Sequence, residues 1–102
     1  MELNKLRPVH PGEILRQDYL APLGMSANRL AIELRVPVTR ISKILNQERA
    51  VTPDTALRLA RYFGGDAQTW LNLQAAYDLK TLGQKHGHEI EKTIRPMDEA
   101  AI

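Results

Sequence analysis

Hydrophobic side chains recur along this chain at helical spacing in five stretches, separated by short polar or Gly/Pro breaks, and no alternating run marks a strand. The first helix is expected to start at His10-Pro11-Gly12-Glu13, where Pro11 suits the first helical position and Glu13 can reach back to the cap backbone. Its apolar stripe is Ile14, Leu15 and Tyr19, and it ends around Pro22-Leu23-Gly24. Ser26 caps a second helix in which Ala27, Leu30, Ala31 and Leu34 follow the i, i+3, i+4, i+7 pattern of one buried face. After the short break Arg35-Val36-Pro37, a third helix turns Ile41, Ile44 and Leu45 inward.

The polar side of that third helix changes the picture. Thr39, Ser42, Lys43 and Asn46 fall on one outward face at the same helical spacing. Two short helices joined by a three-residue turn, within residues 26–46, have the geometry of a helix-turn-helix. Ala31 is small enough for the helices to pack closely, and Val36, Ile41 and Ile44 lock them to a core. The second helix of such a pair fits the DNA major groove. Apolar spacing of this kind also describes helical hairpins that bind no DNA.

Thr52-Pro53-Asp54 combines a capping residue, a proline at the first helical position and an acid near the positive end of the helix dipole. The fourth helix buries Ala56, Leu59, Ala60 and Phe63, and Gly64-Gly65 stops it. Asp66 caps a fifth helix, predicted to end near Leu82. It carries two apolar stripes: Trp70, Leu73 and Tyr77 on one, Leu71, Ala75, Leu79 and Leu82 on the other, with Gln74, Asp78 and Thr81 between them. A second copy of the chain is the simplest cover for a second stripe, which makes Trp70, Leu71, Ala75, Leu79 and Leu82 the candidate dimer interface. Packing of both stripes within one chain is the other reading. From Gly83 the pattern decays, and residues 83–102 are expected to be a flexible tail. The resulting plan is an N-terminal arm over 1–9, an all-α five-helix domain over 10–82 with its dimerisation helix at 66–82, and that tail.

Length and composition fit one domain: 102 residues, 43% of them hydrophobic. The absence of cysteine excludes disulfides and thiolate metal sites and suits a reducing cytoplasm. No apolar segment approaches a membrane span, so no membrane partner is expected. Net charge is +2, unevenly divided: residues 1–61 carry ten Lys/Arg against six Asp/Glu, and residues 62–102 carry four against six. A basic front half is what a DNA-facing surface requires.

Three motifs then stand out. His10-Pro11-Gly12-Glu13-Ile14-Leu15, Thr52-Pro53-Asp54-Thr55-Ala56-Leu57-Arg58-Leu59-Ala60 and Trp70-Leu71-Asn72-Leu73-Gln74-Ala75-Ala76-Tyr77-Asp78-Leu79 closely resemble the HigA antitoxin family, within the phage-repressor-like helix-turn-helix proteins. The resemblance covers His10 to Leu82. It departs at two turn positions where the family often has glycine, occupied here by Arg35 and Gln47. The resemblance implies a dimeric antitoxin that represses its own operon at an inverted-repeat operator and neutralises a HigB-type, RelE-like mRNA endonuclease toxin. It also implies that Val38, Thr39, Ser42 and Lys43 face base edges, with Lys43 able to donate to guanine and Thr39 to offer a hydroxyl and a methyl. Arg40, Asn46, Arg49 and the helix start at Ser26 are then placed for phosphates.

Other chemistry has less to stand on. His86-Gly87-His88 near Glu89 and Glu91 has metal-ligand residue types, but a solvated tail fixes no ligand geometry. His10 lacks a nucleophile or orienting acid nearby in sequence, so no catalytic residue is assigned. No phosphate loop, carboxylate pair or metal set supports an enzyme, and no cofactor is expected. Two alternatives to the antitoxin remain: a stand-alone repressor of the same fold, and a helical protein-interaction module.

Overall fold

A computed structural model describes residues 7–98, and within them the chain forms five helices and no strand. Helix α1 spans residues 11–23, α2 Ala27–Leu34, α3 Val38–Leu45, α4 Pro53–Phe63 and α5 Ala67–Thr93. The remaining residues of the expected arm and tail, 1–6 and 99–102, lie outside the described residues.

Helix α1 is not uniform. Its ends, Pro11–Ile14 and Ala21–Leu23, are α-helical, whereas Leu15–Leu20 is a π-helical turn in which the Ala21 N–H reaches the Arg16 carbonyl. Pro22 supplies no N–H to the Asp18 carbonyl, and its ring would press on that oxygen in an α register, so the wider turn relieves both problems. His10 caps the start, its Nδ1 accepting the Gly12 N–H at 2.8 Å. The expected reach of Glu13 back to the cap is not made. Its carboxylate instead takes both terminal nitrogens of Arg7, at 2.9 and 2.6 Å, which holds it below the usual carboxylate range. Gly24, at φ 61°, closes the helix.

Ser26 and Asp66 cap as expected: Ser26 Oγ accepts the Arg29 N–H at 3.0 Å and Asp66 Oδ1 the Thr69 N–H at 2.8 Å. Thr52 stands at the start of α4, but its hydroxyl faces Thr55 Oγ1 at 3.5 Å and caps no backbone N–H. Proline at the first position has no N–H to satisfy, and the Asp54 charge already favours the positive helix end.

Leu15, Leu30, Ile41, Ile44, Ala56 and Leu59 are fully buried and tie α1 to α4 together. Trp70 closes this core from α5, its ring 5.3 Å from that of Tyr19, which also lies 4.9 Å from Phe63. The expected place of Trp70 on a dimer surface is therefore corrected: at 4% exposure it is core. Leu71 also packs partly on the core, leaving Ala75, Leu79 and Leu82 on the outer stripe.

The end of α5 is the largest departure from the sequence reading. The helix passes Leu82, Gly83 and Gly87 and stops at Thr93. Extending an existing helix adds one hydrogen bond for each residue ordered, so no apolar face is required to continue it. From Leu82 to Asp98 every residue except Gly87 is exposed. The radius of gyration is accordingly 17.4 Å, against about 13 Å for a compact domain of this length. On this helix His86 and His88 are two positions apart and point to different sides, so they do not converge on an ion. No described helix is both long and apolar enough to cross a membrane.

Candidate nucleic-acid interface

Helix α3 has eight residues, too few to persist without tertiary support. That support comes from both ends. At the turn before it, Arg35 adopts left-handed φ 60° and the Val36 N–H donates to the Ala31 carbonyl at 3.0 Å. Arg58, reaching from α4, donates to the Leu34 carbonyl at 2.8 Å and to the Arg35 carbonyl at 3.4 Å. The guanidinium thereby satisfies oxygens that the end of α2 leaves without helical partners. A left-handed backbone at a residue with a Cβ costs about 1–2 kcal/mol, which this clamp helps to offset.

At the far end Gln47 is also left-handed, at φ 63°, and the Glu48 N–H closes the helix on the Lys43 carbonyl at 2.8 Å. The following loop is pinned by Gln74, which is buried on α5. Its Oε1 accepts the Val51 N–H at 2.8 Å, while its Nε2 donates to Asp78 at 3.0 Å. His10 is buried beside this loop, with its ring edge-on to Tyr77 at 4.8 Å. Burial pushes its pKa down, opposed by the charge of Asp78 and the backbone of Arg49.

The closest approach is made by Gly12. A Cβ at this position would lie 1.9 Å from the Ile44 carbonyl oxygen, so only glycine lets α1 seat on α3. The residues that place the helix were therefore not those that mark it in sequence. Gly12, Arg58 and Gln74 join segments far apart in the chain, and no spacing rule connects them. The hint for Gly12 was its position inside an amphipathic start, where a residue with a side chain would serve a helix better.

The outward face carries Val38, Thr39 and Lys43 exposed and Ser42 half-buried. Asn46, also exposed, accepts from Arg16 Nη2 at 3.3 Å. Arg16 was not singled out in sequence, and it lies 30 residues from this partner. Between them runs a groove of about 410 Å³, lined by Arg16, Met25, Ser26, Ser42, Leu45 and Asn46 among others. The Ser26 hydroxyl is engaged by its own helix, so what this end offers a ligand is backbone. Arg49 is exposed on the loop beyond.

Arg40, expected to reach phosphate, is held instead on an acid of α4. Its Nη1 lies 2.5 Å from Asp54 Oδ2, and Arg58 Nε donates to the same oxygen at 3.0 Å. These two hydrogen bonds, that of Arg40 foremost, hold the Asp54 carboxyl below the usual carboxylate range.

A short amphipathic helix with its polar side outward, seated on α1 and braced by Arg58 and Gln74 from α4 and α5, and preceded by a tight turn and a capped helix, is the arrangement of a helix-turn-helix protein. The family model described as Helix-turn-helix matches residues 15–70. The chain is 58% identical over 81 residues to Virulence-associated protein I of Dichelobacter nodosus, covering 79% of this chain and 75% of that protein. The structure of an addiction module antidote protein of the HigA family from Coxiella burnetii superposes with TM-score 0.85 at 50% identity, covering 90% of this chain and all of that one. Antitoxin HigA of Pseudomonas aeruginosa, solved with the higBA promoter, gives TM-score 0.87 at 41% identity with the same coverage. The chain belongs to the HigA-type antitoxin family of helix-turn-helix proteins.

Proposed function

We propose that this protein is a homodimeric antitoxin that reads an inverted-repeat operator with α3, represses its own operon and neutralises a RelE-like, HigB-type mRNA endonuclease. The observation that carries the DNA-reading part is the exposed Thr39–Lys43 face on a helix locked from both ends. A rigid reader loses little freedom on docking, so its contacts appear as affinity. Val38, Thr39, Ser42 and Lys43 address base edges, with Lys43 a donor to guanine. Arg16, Asn46, Arg49 and the backbone at Ser26 address phosphates. The Pseudomonas aeruginosa relative, solved with promoter DNA, supports this reading.

The dimer is assigned to the outer stripe of α5, where Leu79 is 75% and Leu82 55% exposed with Ala75 beside them. The stripe continues along the projecting part of the helix to Ile90, itself 51% exposed. Two copies would present their α3 helices about 34–36 Å apart, one DNA turn. Leu79→Glu places a charge in this contact without touching the core, so it should yield monomers with weakened operator binding. A cleanly dimeric Leu79→Glu protein would remove the interface assignment.

Footprinting of the DNA upstream of the gene tests the whole reading. Two protected half-sites one turn apart, or a multiple of it, are expected. Lys43→Ala should cost about 1–3 kcal/mol and relax preference at one base pair. Equal affinity for scrambled DNA at physiological salt overturns the assignment of α3. Co-expression with the neighbouring gene, followed by pull-down and growth rescue, tests the toxin. Operator binding with no rescue would leave a stand-alone repressor.

A further inference from the structure

Arg40 is the one basic residue of α3 besides Lys43, and it sits beside the reading face, yet the structure turns it away from solvent onto an acid. The acid is not free to follow it. Asp54 stands in the first turn of α4, where the helix dipole favours its charge. It is further held by Arg58, whose guanidinium is anchored on the Leu34 and Arg35 carbonyls. The carboxylate is thus a pre-placed acceptor for the Arg40 guanidinium. The side chain of Arg40 is only 24% exposed, while that of Asp54 is 53% exposed.

We propose that Asp54 is a restraint on sequence-independent DNA binding, which holds the Arg40 guanidinium off the DNA backbone and so denies DNA of any sequence one phosphate contact. The inference rests on the DNA-reading function proposed above. Phosphate contacts strengthen the complex with any DNA, whereas only base contacts discriminate. An arginine free beside the reading helix would raise both affinities together and leave their ratio unchanged, while holding more of the protein on the many competing sites. Pairing it internally removes that contribution while keeping its aliphatic stem against the protein. Asp54 remains ionised well below neutral pH, because both arginines favour its charged form, so the restraint persists across the physiological range.

The test compares random-sequence duplex with operator duplex across a salt series, using the full chain. Asp54→Asn keeps the shape and removes the charge. Affinity for both duplexes should rise, and the slope of log K against log salt should steepen by about 0.9 on each, one additional phosphate. Between 50 and 200 mM salt this appears as a loss roughly threefold larger than that of the parent protein. Arg40→Ala added to Asp54→Asn should abolish the gain, and Asp54→Glu should restore the parent slope. A merely structural role for Asp54 would lower stability in all three variants and would not add a counterion to the slope. Asp54→Ser, which keeps a small polar group in the first turn, makes the same comparison if the amide variant folds poorly. An unchanged slope in Asp54→Asn overturns the restraint. So does an Arg40→Ala effect on the parent protein equal to its effect in Asp54→Asn, because Arg40 would then already reach phosphate. Failure of the parent protein to prefer operator over scrambled DNA overturns the DNA-reading function itself, which separates the two outcomes.

Discussion

Helix α3 and the outer half of α5 are opposite solutions to the same problem. The first is eight residues long and touched by the rest of the domain at both ends. The second continues eleven residues past Leu82 with almost everything exposed. In α3 the local sequence is a modest helix former, rich in β-branched residues, and tertiary contacts hold it. In outer α5 local hydrogen bonding propagates the helix, and no tertiary contact is required to draw it. A region held by the fold can present side chains in fixed directions. A region held only by itself is free to take its partner from outside.

The seat of α3 is most vulnerable at Gly12. Gly12→Ala forces a methyl group onto the Ile44 carbonyl, and neither backbone can yield, so a loss of about 3 kcal/mol is expected. Denaturant unfolding measures it, and operator binding should fall in parallel because α3 loses its seat. A Gly12→Ala protein of parental stability would show that α1 does not set the position of α3. Gln74→Ala is next: it orphans the buried Val51 N–H and should cost about 2 kcal/mol. Its effect should appear as faster amide exchange across residues 46–52, with outer α5 unchanged.

Acidification probes the same cradle through His10. The folded protein holds this imidazole below its ordinary value by burial, while the charge of Asp78 works the other way. The unfolded chain therefore binds the proton more readily, and His10 contributes stability that is complete above its unfolded pKa of about 6.5 and is lost as pH falls toward the folded value. Melting temperatures from pH 7.5 to 5 should decline for the parent protein. His10→Asn, which keeps a capping acceptor but does not titrate, should decline less; identical profiles would assign the decline elsewhere.

Two smaller effects complete the contrast. Arg35→Gly relieves left-handed strain and gives back part of it as chain entropy, so it should stabilise by about 0.5–1 kcal/mol. The gain should survive Arg58→Ala, because the strain belongs to Arg35 and not to its clamp. Truncation after Leu82 in the Leu79→Glu monomer should shift unfolding by less than about 0.5 kcal/mol, the scale of surface changes, while far-UV helicity drops. A larger loss would mean that outer α5 packs on the domain.

The five helices, the turn at residues 35–37 and the polar face of α3 were all legible in the chain, because each depends on neighbours within one or two turns. Caps at Ser26 and Asp66 were legible for the same reason. The capping roles expected of Glu13 and Thr52 failed where another partner was available, Arg7 for the acid and Thr55 for the hydroxyl. The end of α5 was misplaced because a fading apolar pattern was read as a fading helix, whereas periodicity reports burial and not helicity.

Local order along the chain is therefore enough to set periodicity: which positions turn inward, where turns interrupt them, and which polar residues share a face. How each face is used depends on the packing of the folded chain. Trp70 and Leu79 lie on the same helix, and both are large and apolar. One fills the core against Tyr19 and the other stands in solvent, because α1 and α4 cover one side of α5 and nothing among the described residues covers the other. Arg40 and Lys43 lie on the same short helix with the same charge, and Asp54 reaches only one of them. A side chain's type and spacing are local properties, whereas its partner is set by segments tens of residues away that meet only when the chain is folded.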